Sequence, residues 1–260
     1  MPIAVIGGTG FYNLLDAVRP LQVTNEYGSI ELFRGHYQGK EIIFLPRHGK
    51  NHEFLAHQVN YRANFLALKE LGITRILGTS AVGSLNPEMQ VGDLVLLDQF
   101  VDMTTNRPKS FNKYSVDMSD PYCPELRAYF LKAAAEIDLS LHKKGTYICV
   151  DGPRYETSAE IKLYRQWGMD VVGMTNATEA VLARELGLCY AIVAIVTDLA
   201  AGISEVPPDL DTHKRVVQEN RAKLSRLLLK AITLVPEQRS CRCQAIYESA
   251  LAARASQLQK

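Results

Sequence analysis

Two strand-to-helix transitions follow one another within residues 150–179, and this stretch limits the possible folds more than any other feature of the sequence. The apolar run 146–150 predicts a strand that ends at the turn-forming sequence after it. Thr157 lies three residues before Glu160, the spacing of a capping box, which predicts a helix running to about Gly168. Polar side chains therefore cluster where this helix begins.

The second transition repeats the pattern of the first. Residues 170–174 predict another buried strand, and Asn176, three residues before Glu179, offers a second helix cap. In an α/β sheet, the edge at which strands lead into helices is where ligands bind. Because strands and helices alternate along the rest of the chain, we predict an α/β sandwich with a mixed central sheet flanked by helices, in a single domain spanning residues 1–260.

Hydrophobic periodicity and turn residues predict the remaining elements. A strand at 74–79 precedes a turn of small residues at 80–84, and a strand at 189–196 is entirely apolar. Helices are predicted at residues 59–71, 124–138, 211–234 and 244–258. Residues 102–122 are rich in Asn, Ser, Asp, Pro and Lys and predict a long loop. Loops of this length usually serve as lids or as contacts with a partner.

The overall charge argues against partners that bind through bulk electrostatics. Lys and Arg number 29 against 28 Asp and Glu, a formal net charge of +1, so neither nucleic acid nor a membrane surface is expected as a partner. No apolar run reaches the roughly 20 residues that a membrane span needs. The first residues show no basic segment of a signal peptide, so we expect a cytoplasmic protein that acts on small molecules.

The five cysteines divide into two groups. Cys123, Cys149 and Cys189 lie among apolar residues, which is typical of buried thiols that pack as small hydrophobic groups. Cys241 and Cys243 form a C-x-C pair without a second pair nearby in the sequence, so we expect no metal there. A disulfide between them and two free thiols both remain open.

Polar or small residues follow strand after strand, and parallel strands bring such positions to one edge of a sheet. They are Gly7 with Thr9, Arg47 with His48, Ser80 with Ala81, Tyr155 with Glu156, Met174 with Thr175, and Asp198. Together they predict a pocket with an anion-binding end, an aromatic and thioether wall, and two carboxylates. His48, His52 and His57 are close in sequence, but no Cys or paired carboxylate accompanies them, so a metal site is not expected.

Longer motifs resemble one family over essentially the whole chain. They are IGGTG at 6–10, PRHGKNH at 46–52, HQVNYRANFLALKELG at 57–72, TSAVGSL at 79–85, GDLVLLDQFVD at 92–102, GPRYET at 152–157, VVGMTNATEAVLARELG at 171–187 and VTDLAAG at 196–202. The chain resembles the purine nucleoside phosphorylase and methylthioadenosine phosphorylase family. That resemblance implies a homotrimer with shared active sites. It also implies attack of inorganic phosphate on C1′ of a purine nucleoside.

The resemblance also assigns roles to individual residues. Phosphate is expected to bind to Thr9, Arg47, His48, Ser80, Ala81 and Thr175. Met174 is expected beneath the ribose and Tyr155 against the base, while Asp198 faces purine N7 as a general acid. No metal or organic cofactor is implied, since phosphate is a co-substrate.

The motifs give mixed indications of the substrate. Glu156 is the residue type that the branch cleaving 6-oxopurine nucleosides has at this position. Asp198 is instead typical of the methylthioadenosine branch, which carries an Asp-x-Asp motif here. In this chain, Ala200 replaces the second Asp of that motif. His213 corresponds to an apolar residue near the 5′ substituent in that branch, and a histidine suits a 5′-hydroxyl. We expect a purine nucleoside phosphorylase of open base preference, with a methylthioadenosine or methylthioinosine phosphorylase as the alternative. A nucleoside hydrolase and a non-catalytic nucleoside-binding homologue are the remaining hypotheses.

Overall fold

Ten β-strands and six α-helices alternate along the part of the chain that the computed structural model describes, residues 2–7, 15–205 and 208–258. The strands are β1 Ile3–Gly7, β2 Asp16–Asn25, β3 Gly28–Tyr37, β4 Lys40–Pro46, β5 Arg75–Ser84, β6 Leu94–Leu96, β7 Gln99–Asp102, β8 Thr146–Cys149, β9 Val171–Gly173 and β10 Cys189–Leu199. The helices are α1 Tyr61–Glu70, α2 Pro124–Glu136, α3 Ser158–Gln166, α4 Asn176–Glu185, α5 Leu210–Leu234 and α6 Cys243–Leu258.

Eight strands form the main path of one mixed sheet, in the order β2-β3-β4-β1-β5-β9-β8-β7, and β10 pairs with both β5 and β6 beside it. Strands β4, β1, β5 and β10 run parallel to their neighbours in this group, and β5 is long enough to pair with β1, β10 and β9. The antiparallel β2–β3 hairpin extends one edge. Consequently the carboxyl ends of β1, β4, β5 and β10 meet, and the candidate site lies there.

Helices cover both faces of the sheet, as the sequence predicted. One core cluster joins buried residues of α1 and α4, such as Phe65 and Leu182, to β1, β4 and β5. On the other face, Phe130 of α2 and Leu228 of α5 pack against Phe44 and its neighbours in the sheet. A smaller cluster packs α3 onto β8 and β9. None of the described helices is both long and apolar enough to cross a membrane.

The first predicted capping box is confirmed. Thr157 Oγ1 accepts from the Glu160 N–H at 3.2 Å, and the Glu160 carboxylate accepts from the Thr157 N–H at 2.7 Å, so α3 begins where the sequence indicated. The second capping box is wrong. Helix α4 has Thr175 at its N-cap without a side-chain cap bond, because Asn176 and Glu179 point into the core and bond elsewhere.

The predicted turn at 80–84 is also wrong, because β5 continues through these residues. Ser80 to Ser84 stay paired with β10, where Ala81 lies opposite Ile195 and Val82 opposite Val196. Small side chains here therefore belong to a strand that lines the candidate site. The predicted helices at 59–71, 124–138, 211–234 and 244–258 correspond to α1, α2, α5 and α6, with ends shifted by no more than a few residues.

The predicted long loop is confirmed, since residues 103–123 contain neither helix nor strand. It packs firmly on the body of the protein. Phe111 is buried, its backbone N–H donates to Glu185 at 2.6 Å, and the Ser110 hydroxyl donates to the other oxygen of that carboxylate at 2.5 Å. The loop is therefore an ordered wall, held by a buried acid at the end of α4.

Candidate active site

A cavity of about 470 Å³ opens at the carboxyl ends of the central strands. Ten of the residues singled out from the sequence line it: Arg47, His48, Ser80, Ala81, Tyr155, Glu156, Met174, Thr175, Asp198 and His213. Thr9 lies outside the described residues. The residues come from widely separated segments, and the parallel strand ends bring them together.

Ala200 differs from the sequence-based expectation. It is not among the residues that line the cavity, because it lies just past the end of β10 and is 2% exposed. Its backbone N–H donates to the Ser84 carbonyl at 2.9 Å, which turns the chain into the small core cluster beside α3. It therefore fills space behind Asp198 and offers no surface to a ligand.

Arg47 forms a buried, two-pronged ion pair with Glu179. Nε donates to Oε1 at 2.6 Å and Nη2 donates to Oε2 at 2.9 Å, with the two side chains 4% and 1% exposed. Burial alone would lower the pKa of Arg47, but the Glu179 carboxylate raises it above its ordinary value. The guanidinium is thus fixed in one orientation at the cavity wall, and its Nη1 forms no hydrogen bond with the described residues.

A chain of buried hydroxyl and amide groups holds Glu179 in turn. The Tyr190 hydroxyl donates to Glu179 Oε2 at 2.6 Å and accepts from Asn176 Nδ2 at 3.0 Å. The Asn176 side-chain oxygen accepts from the Tyr122 hydroxyl. Sequence analysis missed this network, because Asn176 and Glu179 also have the spacing of a helix cap. Their buried position on α4 shows that they orient Arg47 from behind the cavity.

His48 faces the cavity as a neutral imidazole. Burial, followed by the nearby Arg47 charge, lowers the pKa of His48 to about 3. Its Nδ1 lies 2.8 Å from the Phe54 carbonyl, which only accepts, so Nδ1 carries the proton. His48 also stacks on His52, with ring centroids 4.5 Å apart. Among the described residues, no histidine joins two further potential metal ligands.

Thr175 offers an unused donor at the same end of the cavity. Its Oγ1 is buried and has no hydrogen-bond partner, although the residue stands at the N-cap of α4. The start of a helix carries partial positive charge and unpaired N–H groups. Ser80 lies nearby in β5, its hydroxyl bonded only weakly to the Ala81 carbonyl at 3.3 Å. This end of the cavity is therefore built to accept an anion.

Two carboxylates line another part of the cavity. Burial raises the pKa of Asp198 to about 6, against the opposing hydrogen bond from Thr197, whose hydroxyl lies 2.8 Å from Asp198 Oδ1. Burial also raises the pKa of Glu156, and the Asp198 charge adds to that rise. Gly83 keeps the space beside Asp198 open, since a Cβ there would come within 3.0 Å of Oδ2. A fraction of Asp198 can therefore carry a proton near neutral pH, and Glu156 holds a proton more readily than a free carboxyl group does.

Thr197 links His213 of α5 to Asp198. Its Nδ1 lies 3.2 Å from Thr197 Oγ1. A hydroxyl has one proton, so when Thr197 donates to Asp198, the N–H of His213 is the donor to Thr197. Burial lowers the pKa of His213, so its ring is neutral at physiological pH. Leu210 and Val217, from the same helix, add apolar surface to the cavity.

Arg107 fixes the thioether wall from the long loop. Its Nη1 donates to the Met174 carbonyl at 2.5 Å and to the Tyr61 hydroxyl at 3.0 Å, and its Nη2 donates to the Asp151 carbonyl at 2.8 Å. The Met174 side chain packs closely against the backbone of Gly152, where a Cβ would lie only 2.4 Å from Met174 Sδ. Sequence analysis missed Arg107, since its partners lie more than forty residues away along the chain.

Comparisons with known proteins identify the family of the chain. A family model described as "Phosphorylase superfamily" matches residues 2–233. The chain is 47% identical over 257 residues to "6-oxopurine nucleoside phosphorylase" of Pyrococcus furiosus, covering 93% of this chain and 96% of the relative. It is 45% identical over 247 residues to "S-methyl-5'-thioadenosine phosphorylase" of the same organism, covering 93% and 95%.

Solved structures give the same answer for the fold. A methylthioadenosine phosphorylase from Schistosoma mansoni in complex with adenine superposes with a TM-score of 0.91 at 32% identity, covering 96% of this chain and 98% of that one. A methylthioadenosine phosphorylase from an antarctic soil metagenomic library gives a TM-score of 0.90 at 35% identity, covering 95% and 91%. The chain therefore belongs to the phosphorylase superfamily, in the group that contains the purine nucleoside and methylthioadenosine phosphorylases.

Proposed function

We propose that the protein is a purine nucleoside phosphorylase, a pentosyltransferase that cleaves the N-glycosidic bond with inorganic phosphate. The products are the free base and ribose 1-phosphate. The observation that carries this proposal is a single cavity that joins an anion end, with Arg47 and Thr175, to two partly buried carboxylates, Glu156 and Asp198. Phosphate is the co-substrate, and neither a metal nor an organic cofactor takes part.

The anion end holds and orients the nucleophile. Arg47 Nη1 and the Thr175 hydroxyl donate to phosphate oxygens, and Ser80 and Ala81 complete the cradle from β5. Neutral His48 has its Nδ1 proton committed to Phe54, so its Nε2 accepts the remaining P–OH proton of the monohydrogen phosphate ion. This arrangement holds the attacking oxygen toward C1′, and positioning of this kind supplies much of the rate enhancement.

The carboxylates assist departure of the base. As the glycosidic bond breaks, the sugar becomes oxocarbenium-like and negative charge builds on the purine at N7. Asp198 donates a proton there as general acid. With its pKa raised to about 6, about a tenth of Asp198 is protonated at pH 7, which costs about 1.4 kcal/mol. Met174, held by Arg107, forms an apolar floor beneath the sugar without competing as a nucleophile.

We propose 6-oxopurine nucleosides as the preferred substrates. An ionised Glu156 accepts the N1–H that a 6-oxopurine carries and a 6-aminopurine lacks. Methylthioadenosine is the second candidate. Asp198 can accept from a 6-amino group, and Leu210 and Val217 give His213 apolar neighbours that suit a methylthio group. Relatives of both names match the chain almost equally well, so the residues of the cavity must decide.

A phosphorolysis panel tests the proposal. Inosine, guanosine, adenosine and methylthioadenosine are incubated with the protein, each with and without phosphate, and release of free base is measured. We expect phosphate-dependent cleavage with the highest kcat/KM for inosine or guanosine. Base release without phosphate would indicate a hydrolase, and no release from any nucleoside would indicate a binding protein. Cleavage of methylthioadenosine above the others would establish the second candidate.

We further propose that the single domain of residues 1–260 assembles as a homotrimer with shared active sites. Phe54 and Leu55 line the cavity, yet are 48% and 49% exposed, and apolar side chains at a cavity mouth favour a covering partner. Met118, on the long loop, packs against the core of its own chain and is only partly buried there. Light scattering is expected to give three chains per particle, and a fully active monomer would contradict the proposal.

A further inference from the structure

Four of the five cysteines, from three separate parts of the sequence, converge on one point. The sulfur atoms of Cys123, Cys189, Cys241 and Cys243 all lie within 4.8 Å of one another, and those of Cys189 and Cys241 are 3.3 Å apart. Cys149 lies outside this group in β8. The sequence interpretation found no second half for the C-x-C pair. The fold supplies that half from α2 and β10.

The spacing of the sulfurs fits a tetrahedral metal site. A Zn–S bond of about 2.3 Å places the four sulfurs of a tetrahedron about 3.8 Å from one another. The separation of 3.3 Å and the upper limit of 4.8 Å bracket that value. Two disulfides would require closeness only within each pair, whereas here each sulfur is close to all three others. Three of the four residues are buried, and Cys241 is partly exposed.

Rigid elements hold two of the four ligands. Cys123 is the N-cap of α2, and its backbone N–H donates to the Tyr190 carbonyl at 2.7 Å. Cys189 opens β10, and its N–H donates to the Thr74 carbonyl at 2.9 Å. Helix α2 and the central sheet are therefore joined directly behind these two sulfurs. Ligands on such elements keep their geometry before a metal arrives.

The segment that carries the other two ligands is fastened on both sides. Glu125 of α2 accepts from the backbone N–H groups of Ser240 and Cys241, at 3.1 and 3.2 Å. Arg239 donates to the Gly187 carbonyl at 2.9 Å, and the same nitrogen lies 4.0 Å from the Cys189 sulfur. These contacts bring the C-x-C pair against the rigid half of the cluster.

Positively charged and partially positive groups lie around the four sulfurs. The cluster lies at the N-terminal ends of two long helices, α2 and α6, where partial positive charge gathers. Arg239 adds a full positive charge close to the Cys189 sulfur. Glu125 is the opposing negative group, but backbone N–H groups already satisfy its carboxylate. Four thiolates around a dication carry two net negative charges, and Arg239 and the two helix N-termini offset part of them.

We propose that Cys123, Cys189, Cys241 and Cys243 form a tetrathiolate site for Zn²⁺ that fastens helix α6 to the body of the protein. Binding replaces four S–H bonds by four Zn–S bonds and releases four protons, without oxidation or reduction. All four coordination positions are filled by the protein, which is typical of a structural site. The site is separate from the cavity and takes no part in the proposed reaction.

The test uses the full chain, purified under a reductant and incubated with Zn²⁺ before gel filtration. We expect about one zinc per chain by elemental analysis. Replacement by Co²⁺ should give the intense visible bands of a tetrahedral thiolate site and thiolate-to-cobalt charge-transfer absorption. The Cys243→Ser variant should lose the stoichiometric zinc and the cobalt absorption. Cys149 is a buried cysteine outside the cluster, so the Cys149→Ser variant should keep both.

Absence of stoichiometric zinc and of the cobalt bands in the reduced, folded wild-type protein would overturn the proposal. The finding that these cysteines form two disulfides, with no metal bound after reduction, would overturn it equally. The wild-type cobalt spectrum decides the matter even if Cys243→Ser fails to fold. As a second readout, a zinc chelator should lower the Tm of the wild type and leave that of a folded Cys243→Ser variant unchanged.

Discussion

Replacing Asp198 by Asn should stabilise the unliganded protein at high pH. Burial raises the pKa of this carboxyl from 3.8 to about 6, which means that the folded state binds the proton more tightly than the unfolded state does. Stability contributed by this group is therefore present at low pH and is lost as the pH rises from about 4 through about 6. An amide of the same shape does not ionise and avoids the loss.

The size of the effect follows from the shift. The pKa rises from 3.8 to about 6, and each pKa unit is worth about 1.4 kcal/mol. Above pH 7 the ionised carboxyl therefore lowers the free energy of unfolding by about 3 kcal/mol. Because Asp198 is partly exposed to water in the cavity, we halve this to about 1.5 kcal/mol. About half of that gain should remain at pH 5. For a chain of this size, the Tm at pH 8 should rise by about 3–6 °C.

Differential scanning calorimetry of both proteins at pH 5 and pH 8, without ligands, measures the effect. Glu160→Gln provides a control of opposite sign, because hydrogen bonds from Arg154 and the Thr157 backbone lower the pKa of Glu160 to about 2. That variant should lose stability at pH 8. If Asp198→Asn has an unchanged or lower Tm at pH 8, or gains equally at both pH values, the carboxylate is not held in a desolvated state and the reasoning fails.

Three further predictions concern the two ends of the cavity. Arg47→Ala should raise the KM for phosphate roughly ten- to a hundredfold, since a charge-assisted hydrogen bond is worth about 1.5–3 kcal/mol; an unchanged KM in a phosphate titration would remove Arg47 from the site. Asp198→Asn should raise the ratio of kcat/KM for inosine to kcat/KM for adenosine, and Glu156→Ser should lower that ratio. If the ratio moves in the same direction in both variants, our account of the base pocket is contradicted. Glu179→Gln should cost about 3–5 kcal/mol in chemical denaturation, because Arg47 stays buried without its counter-ion; a loss below about 1 kcal/mol would argue against a charged pair.

Local rules predicted much of the fold. The capping box of Thr157 and Glu160 needs only residues three apart, and the sequence shows it directly. The alternation of apolar strands with amphipathic helices likewise predicted the mixed sheet and most helix ends, because both periodicities are local properties. The polar positions directly after β4 and in the carboxyl-terminal parts of β5 and β10 could be found for the same reason.

The groups that orient the site could not be predicted in this way. Glu179 has the spacing of a cap, yet its partner Arg47 lies 132 positions away, and only the completed sheet brings the two together. Arg107 lies in a polar loop, where a buried cation is unexpected. The turn expected at 80–84 failed because small residues fit both turns and tightly packed strands, and pairing with β10 decides between them. The sequence likewise did not show the partners of Cys241 and Cys243, because Cys123 and Cys189 are far from this pair along the chain.

The pairing of Arg47 with Glu179 has a consequence for ionic strength. With the guanidinium balanced by a carboxylate and His48 neutral, the anion end of the cavity holds little net charge. In the proposed reaction, phosphate would be recognised by oriented donors at short range, and such contacts are screened by salt far less than long-range attraction is. Turnover should therefore tolerate concentrated electrolyte. An anion that matches the charge of phosphate without its tetrahedral arrangement of oxygens should compete poorly, and ribose 1-phosphate should leave without having to escape a strong electrostatic field.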